Sequence, residues 1–220
     1  NNELKPTVVE RNRKNEFDKE LYPKFGSLGV LGQTVKTHGG SGTSNLAYGL
    51  VAYEFEKIDS SYRSSISVQS SLVIHPINEF GSQEQKDKYL PPLIKGEKIG
   101  CFGLTESEAG SDPTSMKTSF KKTKDGYIIN GSKNWITNAP IADIFIIWAI
   151  EENKDHKSIK GFIIEKNTEG LNTSTIENKT SLKISPTGQI ILNNVFVPNN
   201  LCLENTEGWK SVFSCLNKAR

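Results

Sequence analysis

The apolar residues of this 220-residue chain change their spacing near Gly100, and the helical period returns only after Pro198. That switch restricts it to folds in which a helical layer precedes a separate sheet. Before Gly100 the period is helical. Leu46, Leu50, Val51, Phe55 and Ile58 recur at three- and four-residue steps across residues 44–59, with Thr43 or Ser44 placed to cap, which predicts a helix with one buried face. A second helix is expected over residues 62–80 on Ile66, Leu72, Val73 and Ile77, bent or ended early by Pro76. A third opens at Ser82, where Gln85 completes a capping box, and carries Tyr89 and Leu90 until Pro91-Pro92 should stop it. With one more around residues 16–28, four short helices fill the first hundred residues.

From Gly100 to about Asn199 the period is two, punctuated by Gly, Asn and Pro. Residues 127–137 read as a hairpin turning on Asn130-Gly131, a dipeptide that tolerates the positive φ of a tight turn. Residues 144–150, 161–164 and 189–197 are further strands, spaced as in a sandwich or barrel. The fold class is therefore α+β: an N-terminal α-helical domain at residues 1–98, an antiparallel β-barrel or sandwich domain at 99–200, and at 201–220 a linker and the first turns of another helical bundle. In that last stretch Thr206 can cap, and Trp209, Val212, Phe213 and Leu216 share a face. The stripe reaches Arg220 with no Gly, Asn or Pro to close it, as expected of a fragment cut inside a helix.

Composition removes several functional classes. Lys+Arg number 27 against 25 Asp+Glu, a formal net charge of +2, so no chain-wide positive field exists to hold a phosphate backbone, and nucleic-acid binding is disfavoured. The longest apolar run, residues 144–150, falls far short of the roughly 20 residues that span a bilayer. Cys101, Cys202 and Cys215 are odd in number and widely spaced, which argues against a disulfide framework or a zinc site. His38, His75 and His156 have no metal-ligand spacing, and no metal is expected.

The densest cluster of polar and small residues is 101–115, Cys-Phe-Gly-Leu-Thr-Glu-Ser-Glu-Ala-Gly-Ser-Asp-Pro-Thr-Ser. It reads as a strand end opening into a turn whose backbone N–H groups and hydroxyls could converge on a phosphate or a polar heteroaromatic edge, or as a plain turn. It has neither the P-loop lysine nor a Gly-x-Gly-x-x-Gly, so a nucleotide here needs another fold.

The stretch Gly103-Leu-Thr-Glu-x-x-Ala-Gly-Ser-Asp112, followed by Asn130-Gly-Ser-Lys-x-Trp135-Ile-Thr-Asn138, closely resembles the paired flavin-binding segments of the acyl-CoA dehydrogenase family. Within it, residues 62–76 and 213–220 look like glutaryl-CoA dehydrogenase, and the similarity runs from about Leu21 to Arg220. The resemblance implies FAD as cofactor. It would be cradled by Phe102, Gly103, Leu104, Thr105, Glu106, Ser107, Glu108, Ala109, Gly110 and Ser111, with backbone groups at Leu104 and Thr105 on the flavin's pyrimidine edge, Ser111 near pyrophosphate or substrate, and Trp135, Ile136 and Thr137 flanking the ring system. Taken alone, Trp135 reads as a core aromatic on a hairpin, and it is the surrounding Ile-Thr-Asn that reverses this. Ser107 departs from the motif, because many relatives have proline directly after Thr-Glu.

The resemblance also implies a substrate site. Arg63 and Ser64 match positions that hold a distal carboxylate, a role suited to a guanidinium fork in a dry pocket. Glu56 is a candidate to orient Arg63 if the helix runs unbroken through Asp59; a surface Arg-Glu pair is the alternative. Phe213, Ser214, Cys215, Leu216, Asn217, Lys218, Ala219 and Arg220 match a segment that lies along the CoA thioester. The implied activity is oxidation and decarboxylation of glutaryl-CoA to crotonyl-CoA and CO₂, with electrons passing to electron transfer flavoprotein. The general base would be a glutamate beyond Arg220, so that no catalytic residue lies in this chain and the chain alone is inactive. A homotetramer, and a mitochondrial matrix location in a eukaryote or a cytoplasmic one in a bacterium, are implied on the same basis. The alternatives are an enzyme for another short-chain acyl-CoA and a non-catalytic acyl-CoA-binding homologue.

Overall fold

In the computed structural model, which describes residues 3–154 and 158–219, the period switch separates a helical layer from a seven-stranded sheet. The layer holds more helix than the apolar pattern reveals. α1 (Lys5–Lys14) has no buried residue and therefore no stripe to find. α2 (Leu21–Ser27) is the part of the helix expected at 16–28 that forms, and it buries Leu21, Tyr22 and Phe25.

α3 (Asn45–Glu56) starts on Ser44, whose hydroxyl accepts from the Ala47 N–H. Its apolar stripe is not buried, contrary to expectation: Leu46 is 73% and Leu50 59% exposed. Periodicity establishes that a helix has an apolar face, not that another element lies over all of it: Phe55 packs on Phe25 of α2 at 5.3 Å between ring centroids, whereas Leu46 and Leu50 are left uncovered among the described residues. The helix also stops at Glu56. Asp59, with extended backbone, caps α4 (Ser60–Ser67) by accepting from the Ser61 N–H.

α4 runs on through a π-helical segment (Val68–Ile74) into α5 (His75–Phe80), so Pro76 does not end the helix early. The wider turns shift the hydrogen-bond ladder just where proline has no N–H to give and its ring would crowd the preceding turn. α6 (Gln83–Ile94) opens on the expected capping box, with the Gln85 N–H donating to Ser82 Oγ at 3.2 Å and the Ser82 N–H to Gln85 Oε1 at 3.0 Å. Pro91 and Pro92 lie inside it and do not stop it. The last turn persists because Leu90, Leu93 and Ile94 are buried, and because Gln69 Nε2 donates to the Leu93 carbonyl at 3.0 Å.

The strands are β1 (Gly100–Gly103), β2 (Ser119–Lys122), β3 (Gly126–Thr137), β4 (Ile144–Glu151), β5 (Ile159–Glu165), β6 (Leu171–Thr175) and β7 (Thr187–Pro198). Their order is β1-β4-β2-β3-β7-β6, with β5 on the other side of β4. The α+β architecture is as expected, but the sheet is mixed rather than wholly antiparallel. β1 and β2 lie end to end along one edge of β4, both parallel to it: Gly103 faces Ile147, and Ser119 faces Ile150. β4 is apolar from Ile144 to Ile150, as suits a strand with both faces buried. Ile144, Ile146, Trp148 and Ile150 share a core with the helices. Phe145, Ile147 and Ala149 meet Phe120, Tyr127 and Phe162 in a second core.

Residues 127–137 form no hairpin. They lie in β3, and the β2–β3 turn comes earlier, where the Thr123 N–H donates to the Gly126 carbonyl at 2.8 Å. Asn130-Gly131 uses its tolerance of positive φ for a bulge instead. Gly131 sits at φ 142, and the register against β7 shifts between Ile129 and Gly131. Asn130 bridges to Asn194 of β7, donating to its Oδ1 at 3.1 Å and accepting its N–H at 2.8 Å.

α7 (Trp209–Ala219) buries Val212 and Cys215, while Phe213 stays 41% exposed. Thr206 does not cap it. Its hydroxyl donates to the Leu203 carbonyl, and Ser211 Oγ instead accepts the Glu207 N–H at 2.7 Å. All three cysteines are buried and free. Among the described residues there is no cluster able to hold a metal, and no helix long and apolar enough to cross a membrane.

Candidate functional site

Because β1 and β2 share one edge of β4, residues 104–118 must leave the sheet and return to it within a short gap. One side chain ties down both ends of that loop. Lys133 points inward from β3 with no exposed surface, and its Nζ donates to the Leu104 carbonyl at 3.1 Å and to Glu106 Oε1 at 2.8 Å. The Glu106 carboxylate accepts in addition the Lys117 N–H at 2.7 Å and the Thr118 N–H at 3.0 Å. Burial works to raise the pKa of Glu106, but the Lys133 charge and these donors outweigh it and hold the carboxyl below its ordinary value. Burial draws Lys133 down to about 8 against the opposing pull of Glu106.

A second bulge, between Lys133 and Ile136, turns the next residues out of the ladder. The Asn134 N–H donates to the Thr105 carbonyl at 2.8 Å, which joins strand to loop. Trp135 is held at φ 60 with 59% of its surface exposed. A bulky side chain in the left-handed region costs about 1–3 kcal/mol and persists where its surroundings over-determine it, commonly at ligand sites. Trp135 is thus not the core aromatic that the residue alone allowed. Ile136 beside it is buried, and Thr137 is half-buried.

The loop residues divide by direction. Phe102, Gly103, Leu104, Glu106 and Ala109 are buried, with Phe102 packed on Trp148 at 6.3 Å between ring centroids. Ser107, Glu108, Gly110 and Ser111 are exposed, Thr105 is half-buried, and Glu108 pairs with Lys117. Among the described residues no acceptor meets the Thr105 N–H. A flat exposed indole beside a free backbone donor and exposed hydroxyls suits a polar heteroaromatic ligand.

A separate cavity of about 700 Å³ lies between α3, α4 and α7, lined by Asn45, Tyr48, Arg63, Ser67, Asn217 and Lys218 among others. The helix break at Asp59 does not separate Glu56 from Arg63: Arg63 Nε donates to Glu56 Oε2 at 2.8 Å, and Ser60 Oγ to its Oε1 at 2.5 Å. The pair is nonetheless exposed, with 37% of the Arg63 side chain and 44% of that of Glu56 open to solvent, so it is the surface Arg-Glu pair and not a fork in a dry pocket. These two donors, Arg63 foremost, hold the Glu56 carboxyl below its usual range. With Nε engaged, the two terminal nitrogens of the guanidinium retain their donors. Ser64 does not line this cavity, whereas Ser67, three residues on, does. On α7, Asn217, Lys218 and Ala219 line it, and Lys218 Nζ bridges to Asn45 Oδ1 at 2.6 Å. Ser214 donates to the Ser211 carbonyl, Leu216 packs against the core, and Cys215 is buried, its thiol pushed up to about 12 by that burial. Arg220 and His156 lie outside the described residues.

Sequence reasoning missed Lys133 as the anchor of the loop, although a lysine at an inward position of a strand is a visible signal. It also missed Tyr48 and Ser67, whose hydroxyls meet at 3.0 Å in the cavity wall. Nothing in the sequence marks those two apart from other residues on their helices.

A helical layer, a mixed sheet, and a loop anchored beside an outturned tryptophan define a ligand-binding α+β protein. The chain belongs to the acyl-CoA dehydrogenase family: the family's N-terminal domain matches residues 1–97 and its middle domain residues 101–195. It is 38% identical over 224 residues to the short-chain-specific acyl-CoA dehydrogenase of Megasphaera elsdenii, covering 99% of this chain and 58% of that protein. A glutaryl-CoA dehydrogenase from Mycobacterium smegmatis, solved in complex with FADH2, superposes with a TM-score of 0.95 at 40% identity, over 99% of this chain and 55% of that one. The butyryl-CoA dehydrogenase of M. elsdenii superposes at 0.91 with 37% identity, over 98% and 58%. The chain therefore spans little more than half the length of these relatives.

Proposed function

We propose that this chain forms the flavin site and part of the acyl site of an FAD-dependent acyl-CoA dehydrogenase, and that its substrate is glutaryl-CoA. Flavin binding is supported by the loop at 104–111, the free Thr105 N–H and the exposed Trp135. When bound, FAD supplies the acceptor for the substrate's β-hydrogen as hydride. The residues of this chain orient the two reactants and place charge. Trp135 offers a face to the ring system, and the loop offers N–H and hydroxyl donors to its polar edge.

The observation that carries the choice of substrate is Arg63, which lines the 700 Å³ cavity and is held through its Nε by Glu56 outside that lining. A dicarboxylic monothioester brings a second negative charge, and a guanidinium whose Nε is already fixed can meet it through its two remaining nitrogens. The α-proton would pass to a glutamate base that is not among the residues of this chain; after the α,β bond is oxidised, loss of the distal carboxyl as CO₂ and protonation at the γ-carbon would give crotonyl-CoA, and the electrons would leave to an electron transfer flavoprotein. A charge-assisted bond of about 1.5–3 kcal/mol favours glutaryl over an uncharged chain by tenfold or more. Arg63→Ala in the full-length enzyme should abolish that preference when kcat/KM is compared for glutaryl-CoA and butyryl-CoA. An unchanged preference would refute the decarboxylating assignment. The comparable identity to a butyryl-CoA dehydrogenase favours a straight-chain short acyl group as the second reading, which predicts a wild type that prefers butyryl-CoA from the outset.

A further inference from the structure

We propose that Lys133 is a positioning residue for the flavin: its buried ammonium grips the Leu104 carbonyl and thereby aims and polarises the Thr105 N–H on the far side of the same peptide. This rests on the flavin reading given above. The contact is 3.1 Å, and the peptide is trans, so the Leu104 C=O and the Thr105 N–H point in opposite directions. The next peptide is fixed from the strand, where the Asn134 N–H donates to the Thr105 carbonyl at 2.8 Å. Thr105 is thus held on both sides by consecutive β3 residues, and its own N–H is left for a ligand.

A charged donor binds a carbonyl more strongly than a neutral one, and hydrogen bonds in series reinforce each other at low dielectric. The Lys133 charge is therefore conveyed through one peptide to whatever accepts from Thr105. A buried ion pair is seldom retained for stability alone, since well-packed apolar residues do as well. Lys133 is fully buried on β3, between the buried Ile129 and Ile136. The flavin edge gains negative charge when the ring takes up electrons, so a strengthened donor there favours the reduced form.

The test compares Glu106→Gln, which keeps the lysine charge, with the double variant Lys133→Met/Glu106→Gln, which removes both charges and retains the lysine stem. The readout is the midpoint potential of flavin bound to the full-length protein, followed by visible absorbance. The double variant should bind flavin with its equilibrium shifted about tenfold toward the oxidised form, about 30 mV lower for a two-electron couple. Potentials that agree within threefold overturn the proposal. Should the double variant bind too weakly to titrate, dissociation constants replace potentials. A tenfold weakening with unchanged amide exchange in β3 and β4 supports the proposal, whereas weakening with faster exchange throughout those strands marks a fold defect and overturns it. A wild-type protein that holds no flavin overturns the underlying reading itself, and its spectrum separates that case from the others.

Discussion

Replacing Gly131 by alanine tests whether Asn130-Gly131 acts as a bulge or as a turn. At Gly131 the backbone sits at φ 142, and an added Cβ would lie 2.7 Å from Thr118 Cα and 2.5 Å from Thr118 Oγ1. The first of these atoms is backbone and cannot swing aside. Backbone strain of about 1–3 kcal/mol and overpacking of a similar size together predict a loss of about 2–6 kcal/mol. With a urea m-value of about 3 kcal/mol/M, the unfolding midpoint should fall by about 0.7–2 M. Thr118 also gives its N–H to Glu106, so the damage should reach the 104–118 loop and appear as faster amide exchange there. Gly131→Asn separates the two geometries, since asparagine is tolerated at the left-handed positions of a tight turn but not at this φ. Urea unfolding followed by circular dichroism measures both variants. A loss below about 0.5 kcal/mol for either one refutes the bulge argument.

Trp135→Gly should stabilise the protein by about 1 kcal/mol in the same assay, by relieving a positive φ at an exposed site, while lowering flavin affinity measured by absorbance titration; unchanged flavin affinity would remove Trp135 from the site. Glu106 has a folded pKa below its unfolded value, so its contribution is complete above about pH 4.5 and disappears as the pH falls through the lower folded value. The acid side of a stability-against-pH curve should therefore be steeper for wild type than for Glu106→Gln, and parallel curves would contradict the carboxylate's role. Leu46→Glu should change the stability of this chain by no more than about 0.5 kcal/mol, because the side chain is 73% exposed; a loss above about 1 kcal/mol in urea would show that the α3 face is covered.

The switch in apolar period was enough to place a helical layer before a sheet, and residues 144–150 were legible as a strand, though not as one buried on both faces. What failed did so where a local signal has several tertiary uses. Asn130-Gly131 announces a positive φ, which serves a hairpin turn or a bulge equally well, and the choice depends on β7 lying alongside. Pro76, Pro91 and Pro92 each remove a donor, yet a π-helical segment and a buried last turn absorb the loss. The stripe of α3 is real, but its exposure depends on neighbours the stripe cannot name. The two motifs singled out the loop and Trp135, segments that the structure brings side by side. The anchoring by Lys133 was not legible, because it is a contact between residues 27 apart that forms only when β1, β2 and β3 are all in place.

The end-to-end placement of β1 and β2 along β4 has a consequence for how such a site can vary. β1 leaves the sheet opposite Ile147, and β2 rejoins it opposite Ile150, a gap of about 10 Å at the usual rise of a strand. The connecting stretch, residues 104–118, has far more contour length than that gap requires. Residues at its exposed crest can be added, removed or exchanged without altering the register of any strand, provided Leu104 and Glu106 keep their bonds to Lys133 and Thr118 keeps its bond to Glu106. The sheet and the surface it presents to a ligand are in that sense separately adjustable, and selection can redraw one while leaving the other as it is.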